Sequence, residues 1–114
     1  MIQITLPWPE SNGNHQYAIV RNRKILSAKG RAYKRDVSIL CSRRCVFLNG
    51  APVSVTLRLF RPRKIGDIDG PIKQILDAME GCFYENDKQI VELHVYRGDD
   101  KDRPRVEVEI KALL

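Results

Sequence analysis

Three stretches of the chain alternate apolar with polar residues, which is the period of a β-strand that buries one face. The first stretch runs from Ile2 to Leu6 and stops at Pro7-Trp8-Pro9. The second follows a chain break at Gly50-Ala51-Pro52, and the third lies near the end of the sequence. The predicted extended segments are residues 2–6, 17–26 with a turn at 21–24, 53–59, 90–96 and 106–110. Residues 98–104 are predicted to form a charged hairpin loop.

Two other stretches have helical periodicity, with apolar residues three and four positions apart. The first predicted helix covers about residues 28–45 and begins behind Ser27, a favourable N-cap residue. The second covers about residues 70–79 and ends near Gly81. Strands and helices in this order predict a single α/β domain over residues 1–114, with a mixed, mostly antiparallel sheet and two helices.

Charge is unevenly distributed along the chain, although the formal net charge is only +6. Residues 1–57 carry nine Lys and Arg residues against two acidic ones, whereas residues 58–114 carry 11 basic and 12 acidic residues. A basic surface beside an acidic site suits a polyanion whose backbone is held while one phosphate reacts. The charge taken alone fits a basic soluble domain with no nucleic-acid partner equally well.

Nothing in the sequence directs the chain out of the cytoplasm or into a membrane. The first nine residues lack the cationic start and long apolar core of a signal peptide, and no apolar run approaches the ~18 residues that span a bilayer. Three cysteines, with no C-x-x-C pair among them, are typical of buried thiols in a reducing compartment. We therefore expect a cytoplasmic protein with no membrane partner and no disulfide framework.

The strongest indication of chemistry is a group of charged residues around the second predicted helix. Asp67 and Asp69 share one face of an extended segment, and Lys73 lies one helical turn later on the same side. Asp87 follows just beyond the end of that helix. Carboxylate oxygens are the hard ligands that Mg²⁺ selects, so the group predicts a magnesium site.

A structural interpretation of the same residues is also open. Asp69 would cap the helix with Pro71 in its first turn, and Lys73 would form an i,i+4 ion pair with Asp69. This interpretation leaves Asp67 and Asp87 without a role.

Basic residues adjoin the acidic group. Arg61, Arg63 and Lys64 precede Asp67 on the same segment, which places them to contact phosphates. A second basic group lies at the turn of the extended segment 17–26. The predicted DNA-binding residues are Arg21, Arg23, Lys24, Arg61, Arg63 and Lys64.

Four short motifs occur in order over nearly the whole chain. They are Ile4-Thr5-Leu6-Pro7-Trp8-Pro9 with Ser11-Asn12, Ser27-Ala28-Lys29-Gly30-Arg31-Ala32-Tyr33, Asp67-Ile68-Asp69 with Lys73, and Glu85-Asn86-Asp87 with Gln89-Ile90-Val91. With these four motifs the chain resembles the RusA family of Holliday-junction resolvases, which prophages often carry. Each motif is weak alone, but four in one short chain are specific.

The resemblance implies a RusA-like homodimer that resolves four-way (Holliday) DNA junctions by paired nicks in recombination and repair. It also implies phosphodiester hydrolysis assisted by Mg²⁺, or by Mn²⁺ in its place. The family uses three aspartates as metal ligands together with a lysine. By motif position these catalytic residues are Asp67, Asp69, Asp87 and Lys73. The lysine would stabilise charge on the reacting phosphate.

Two positions depart from the family pattern: Gly70 stands where Asn is usual, and Asn86 where Asp is often found. These departures bear on metal affinity rather than on mechanism. Two other functions fit the same residues. One is a non-catalytic nucleic-acid-binding domain of a phage or recombination system, and the other is a metal nuclease that acts on other branched or single-stranded DNA.

Overall fold

The computed structural model describes residues 1–9, 17–20, 23–26, 28–42, 50–64 and 68–113. Within these ranges the elements are β1 (Ile2–Pro7), β2 (Tyr17–Val20), β3 (Arg23–Leu26), α1 (Ala28–Ser42), β4 (Val53–Arg61), α2 (Ile72–Met79), a short 3-10 turn (Asp87–Gln89), β5 (Ile90–Asp99) and β6 (Arg105–Ala112). The predicted α/β class with two helices is confirmed.

Four of the strands form one sheet in the order β1-β6-β4-β5. The pairs β1/β6 and β6/β4 are antiparallel, whereas β4 and β5 are parallel. Strands β2 and β3 form a separate antiparallel ribbon. The sheet is therefore mixed and mostly antiparallel, as the sequence predicts.

The alternating sequence of β4 buries one face of the sheet. Val55, Leu57 and Leu59 are at most 1% exposed, while the residues between them are half-buried. The neighbouring strand β6 contributes Val106 and Val108 to the same core. Burying a branched aliphatic side chain of this size stabilises a fold by roughly 1.5–3 kcal/mol, so this alternation drives the strand into place.

The prediction of a hairpin over residues 98–104 is wrong. Strand β5 continues to Asp99, where it pairs in register with Arg61 of β4, and it does not pair with β6. Residues 100–104 therefore cross over the end of β4 to reach β6. Because a parallel partner such as β4 can only come from a distant part of the chain, local sequence could not show this pairing.

Helix α1 packs part of its surface into the core. Helix α1 buries Tyr33, Val37 and Cys41, and the Tyr33 hydroxyl donates a 2.8 Å hydrogen bond to the Pro7 carbonyl of β1. Helix α1 begins at Ala28 as predicted and extends at least to Ser42. The predicted cap, Ser27, and the predicted last turn of the helix lie outside the described residues.

Strand β5 forms an edge of the sheet and is largely exposed. Its apolar side chains Val91, Leu93 and Tyr96 are 60%, 42% and 58% exposed. None of the helices in the described ranges combines the length and the apolarity needed to cross a bilayer.

Candidate functional site

Helix α2 begins two residues later than its sequence pattern predicts. Its N-cap is Pro71, no side chain makes a cap hydrogen bond there, and Ile72 is the first helical residue. Asp69 lies in the turn before the cap, where its carbonyl accepts a 3.3 Å hydrogen bond from the Ile72 amide. The prediction that Asp69 caps this helix is therefore wrong, and its carboxylate is exposed. Asp67 lies outside the described residues.

Lys73 projects from the exposed side of α2. Its side chain is 61% exposed, and its Nζ lies 3.3 Å from Oδ2 of Asp77. The sequence predicts an ion pair between Lys73 and Asp69, four residues before it. In the structure Lys73 pairs instead with Asp77, four residues after it. The buried side of α2 is formed instead by Gln74, Ile75, Ala78 and Met79.

A capping box holds Asp87 at the start of the 3-10 turn. The Asn86 side chain accepts a 2.8 Å hydrogen bond from the Lys88 amide. The Gln89 side-chain oxygen accepts from the amides of Glu85 and Asn86, and its Nε2 donates to the Ala51 carbonyl at 2.8 Å. The turn is thereby tied to the segment before β4, and the Asp87 carboxylate stays exposed.

Sequence reasoning missed this capping role. The polar residues of an Asn-x-x-Gln pattern at positions 86 and 89 are the signal that could have revealed it, because such residues satisfy each other's backbone amides at a helix start. Asn86 therefore has a structural task in the place where the family often has an aspartate.

Tyr84 lies between α2 and the 3-10 turn. It is buried, and its hydroxyl donates a 2.8 Å hydrogen bond to the Leu76 carbonyl. Burial raises the pKa of this phenol far above its ordinary value, and the carboxylates of Glu80, Asp77 and Asp87 raise it further. Tyr84 is therefore a neutral hydrogen-bond donor near three carboxylates.

The predicted metal site consists of Asp67, which lies outside the described residues, and of Asp69 and Asp87. Among the residues that the structure describes, no group of three His, Cys, Asp or Glu side chains is arranged to hold a metal ion. The two described members of the predicted set, Asp69 and Asp87, are exposed carboxylates. Their oxygen donors are the kind that a hard divalent cation prefers.

The predicted DNA-binding residues differ in their surroundings. Arg61 is only 14% exposed and forms an ion pair with Asp99 of β5. Arg63 and Lys64, two and three residues later, are exposed. Arg21 lies outside the described residues, and for Arg23 and Lys24 only their place in β3 is described. The exposed pair, Arg63 and Lys64, is therefore the better placed for phosphate contacts.

A second group of charged residues closes the loop at residues 100–104. Arg105 lies 2.7 Å from Asp100 and 3.2 Å from Glu107, and its guanidinium stacks over the Phe60 ring at 4.1 Å. The hydrogen bond from Arg105 lowers the pKa of Asp100, and the same contact raises the pKa of Arg105. We call Arg105, Asp100, Glu107 and Phe60 the loop clamp.

The two described cysteines, Cys41 and Cys82, are free thiols, and Cys45 lies outside the described residues. Cys41 is buried in α1 and Cys82 is half-buried after α2. Burial raises the pKa of the Cys41 thiol to about 12, and its contact with Cys82 adds to this. Cys41 is therefore a poor candidate for chemistry, because a buried neutral thiol is a weak nucleophile and metal ligand.

The described residues form a small mixed α/β domain with exposed acidic side chains before and after its second helix. The chain belongs to the RusA family, since the family model for endodeoxyribonuclease RusA matches residues 7–111. It is 33% identical over 113 residues to the proteins named crossover junction endodeoxyribonuclease RusA of Shigella sonnei (strain Ss046), Escherichia coli (strain K12) and Enterobacteria phage 82. Each match covers 96% of this chain and 93% of the relative.

Proposed function

We propose that this protein is a structure-selective endonuclease that resolves four-way DNA junctions by paired nicks. The observation that carries the proposal is the set of exposed charged residues along α2 and the turn that follows it, at the motif positions of the RusA family. Asp69, Lys73 and Asp87 all present their side chains to solvent. Exposed charges beside a helix that buries its opposite face suit a large polyanionic substrate better than a structural role.

The cofactor that we propose is Mg²⁺, with Mn²⁺ as its substitute. Asp67, Asp69 and Asp87 would hold it, and the described pair has the oxygen donors that such an ion requires. When bound, the ion would supply Lewis-acid activation of the scissile phosphodiester.

The other residues of the site have separate tasks in the proposed reaction. Lys73 brings a positive charge to the phosphate oxygens, on which negative charge increases in the transition state. Arg63 and Lys64 hold the DNA backbone next to the site, because exposed basic side chains contact phosphates without reading sequence. The capping box of Asn86 and Gln89 keeps Asp87 at a fixed place relative to β4.

We further propose that the working form is a two-fold symmetric homodimer acting on DNA in the cytoplasm. Two nicks at symmetry-related positions require two active sites, and the candidate set occurs once per chain. Two-fold symmetry is the commonest symmetry of soluble oligomers and matches that of a four-way junction. Light scattering at micromolar concentration, with and without junction DNA, tests this form. A protein that stays monomeric on DNA and leaves single, unpaired nicks would contradict it.

The function is tested with three labelled substrates: a synthetic four-way junction, a linear duplex and a flap, each with and without Mg²⁺. We expect paired nicks in the junction that depend on the metal, and little cutting of the duplex. Preferential cutting of the flap would favour a nuclease for other branched DNA. Junction binding without any cutting would favour a non-catalytic nucleic-acid-binding domain and refute the proposed function.

A further inference from the structure

Asp77 forms an ion pair with the lysine of the candidate site. Its Oδ2 lies 3.3 Å from Nζ of Lys73, one helical turn along α2. The two partners differ in freedom, because the Asp77 side chain is 23% exposed and the Lys73 side chain 61%. A lysine has a flexible four-carbon stem, whereas an aspartate is short, so the half-buried carboxylate is the fixed member of the pair.

Asp77 also acts electrostatically on Tyr84, the buried tyrosine that precedes the 3-10 turn. The Tyr84 hydroxyl is fixed by its hydrogen bond to the Leu76 carbonyl, next to Asp77 in the chain. The carboxylates of Asp77 and Asp87 both act on this phenol and raise its pKa. Asp77 therefore contacts Lys73 and is also within electrostatic range of Tyr84.

We propose that Asp77 is a positioning residue for Lys73: its carboxylate holds the ammonium group over the site so that the charge is in place when the phosphate arrives. This inference rests on the proposed function. A surface ion pair of this kind adds little to stability, but a fixed charge avoids reorganisation during the reaction. The role also differs from that of a metal ligand, because the carboxylate is engaged with Lys73.

The test is a double-mutant cycle in the full chain, with single-turnover cleavage of a four-way junction in Mg²⁺ as the readout. Asp77→Asn should lower the rate about 10- to 100-fold, since small misplacements of a reacting group cost that much. Junction affinity and melting temperature should stay unchanged. In a Lys73→Ala background the same change should have no further effect, because there is no ammonium left to position.

Two further variants separate positioning from loss of charge. Asp77→Glu keeps a carboxylate on the same helix face and should restore most of the rate. Glu80→Gln is the matched control, because Glu80 also acts on Tyr84 but lies two helical turns from Lys73, and it should cleave at the normal rate. If Asp77→Asn has a lower melting temperature, a second variant without the carboxylate, Asp77→Ser, is measured in the same assay.

The inference is overturned if Asp77→Asn and Asp77→Ser cleave at the wild-type rate, or if they lower the rate equally with and without Lys73. A lower melting temperature with a normal rate would likewise show a structural ion pair. These results leave the proposed function standing, provided that the wild-type protein cuts the junction. If the wild-type protein cuts no junction, the proposed function fails and the inference falls with it.

Discussion

Two groups of charged residues in this domain differ in how their charges are satisfied. In the loop clamp, Arg105 is 25% exposed and makes two ion pairs and a stacking contact with Phe60. Beside α2, Lys73 is 61% exposed, and Asp69 and Asp87 present their carboxylates to solvent. Both groups lie near loops, so position in the fold does not explain the difference.

We relate this difference to the proposed function of the residues beside α2. A charge with several close partners is saturated, and it fixes the loop that carries it. The carboxylates of Asp69 and Asp87 and the Lys73 side chain are exposed, so a cation and a phosphate can approach them from solvent. We therefore expect substitutions beside α2 to change activity with little effect on stability, and substitutions in the loop clamp to do the reverse.

The largest effect is expected from the aspartates. Asp67→Asn, Asp69→Asn or Asp87→Asn should each lower junction cleavage by about 10³-fold or more, as loss of several kcal/mol of charge stabilisation implies. Junction binding should be unchanged or tighter, because a negative charge facing phosphate is removed. Asp102→Asn, at an exposed aspartate of the loop 100–104, is the control. Normal cleavage by any two of the three variants would contradict the site.

Lys73→Ala should have the next largest effect. Loss of one charge that stabilises a transition state lowers turnover by about 10²- to 10³-fold. The melting temperature should barely change, because an exposed i,i+4 ion pair contributes only about 0.3–0.5 kcal/mol. Turnover and thermal unfolding of the same preparation measure both. Normal turnover with a melting temperature several degrees lower would assign Lys73 to the fold rather than to the site.

Arg63 and Lys64 should contribute to binding alone. Replacing both with Ala should weaken junction binding and reduce the slope of log affinity against log salt by about 2, one for each lost phosphate contact. Lys111→Ala, at an exposed lysine on β6, should leave the slope unchanged. Arg61→Ala should lower the melting temperature and leave the salt slope nearly unchanged, since Arg61 is paired with Asp99. Salt titrations of junction binding measure the slope for all three variants, and thermal unfolding measures the melting temperature of Arg61→Ala.

The smallest effect is a pH dependence in the loop clamp. Because Arg105 lowers the pKa of Asp100 in the folded state, this pair stabilises the fold above the ordinary carboxyl pKa of about 4 and less so as pH falls below it. Asp100→Asn should lower the melting temperature near neutral pH by roughly 1–4 °C. The difference should shrink in acid. Equal differences at pH 7 and pH 3 would show that the pair is not responsible.

The sequence predicted most elements of the fold, because their signals are local. Alternating apolar residues marked β1, β4 and β6, and their buried faces are those observed. The start of α1 was also predicted correctly. The start of α2 was predicted two residues too early. Proline is tolerated in the first turn of a helix, so the presence of Pro71 did not show which residue is the N-cap.

The candidate site was predicted by motif, and its surroundings were not. Asp69, Lys73 and Asp87 could be named from their spacing. The sequence analysis paired Lys73 with Asp69, whereas the structure pairs it with Asp77. The choice of Asp77 required the turn before Pro71, which takes Asp69 out of the helix.

By itself, the sequence determined which segments are strands and helices, which face each buries and where the charged residues cluster, because these depend on neighbours a few positions apart. Only the tertiary structure decided the strand order and the partners of the charges. Arg61 looked like a free phosphate contact until β5 placed Asp99 beside it, 38 residues away. Such a pairing depends on which strand joins the edge of the sheet, and that choice is made by packing of the whole core rather than by local preference.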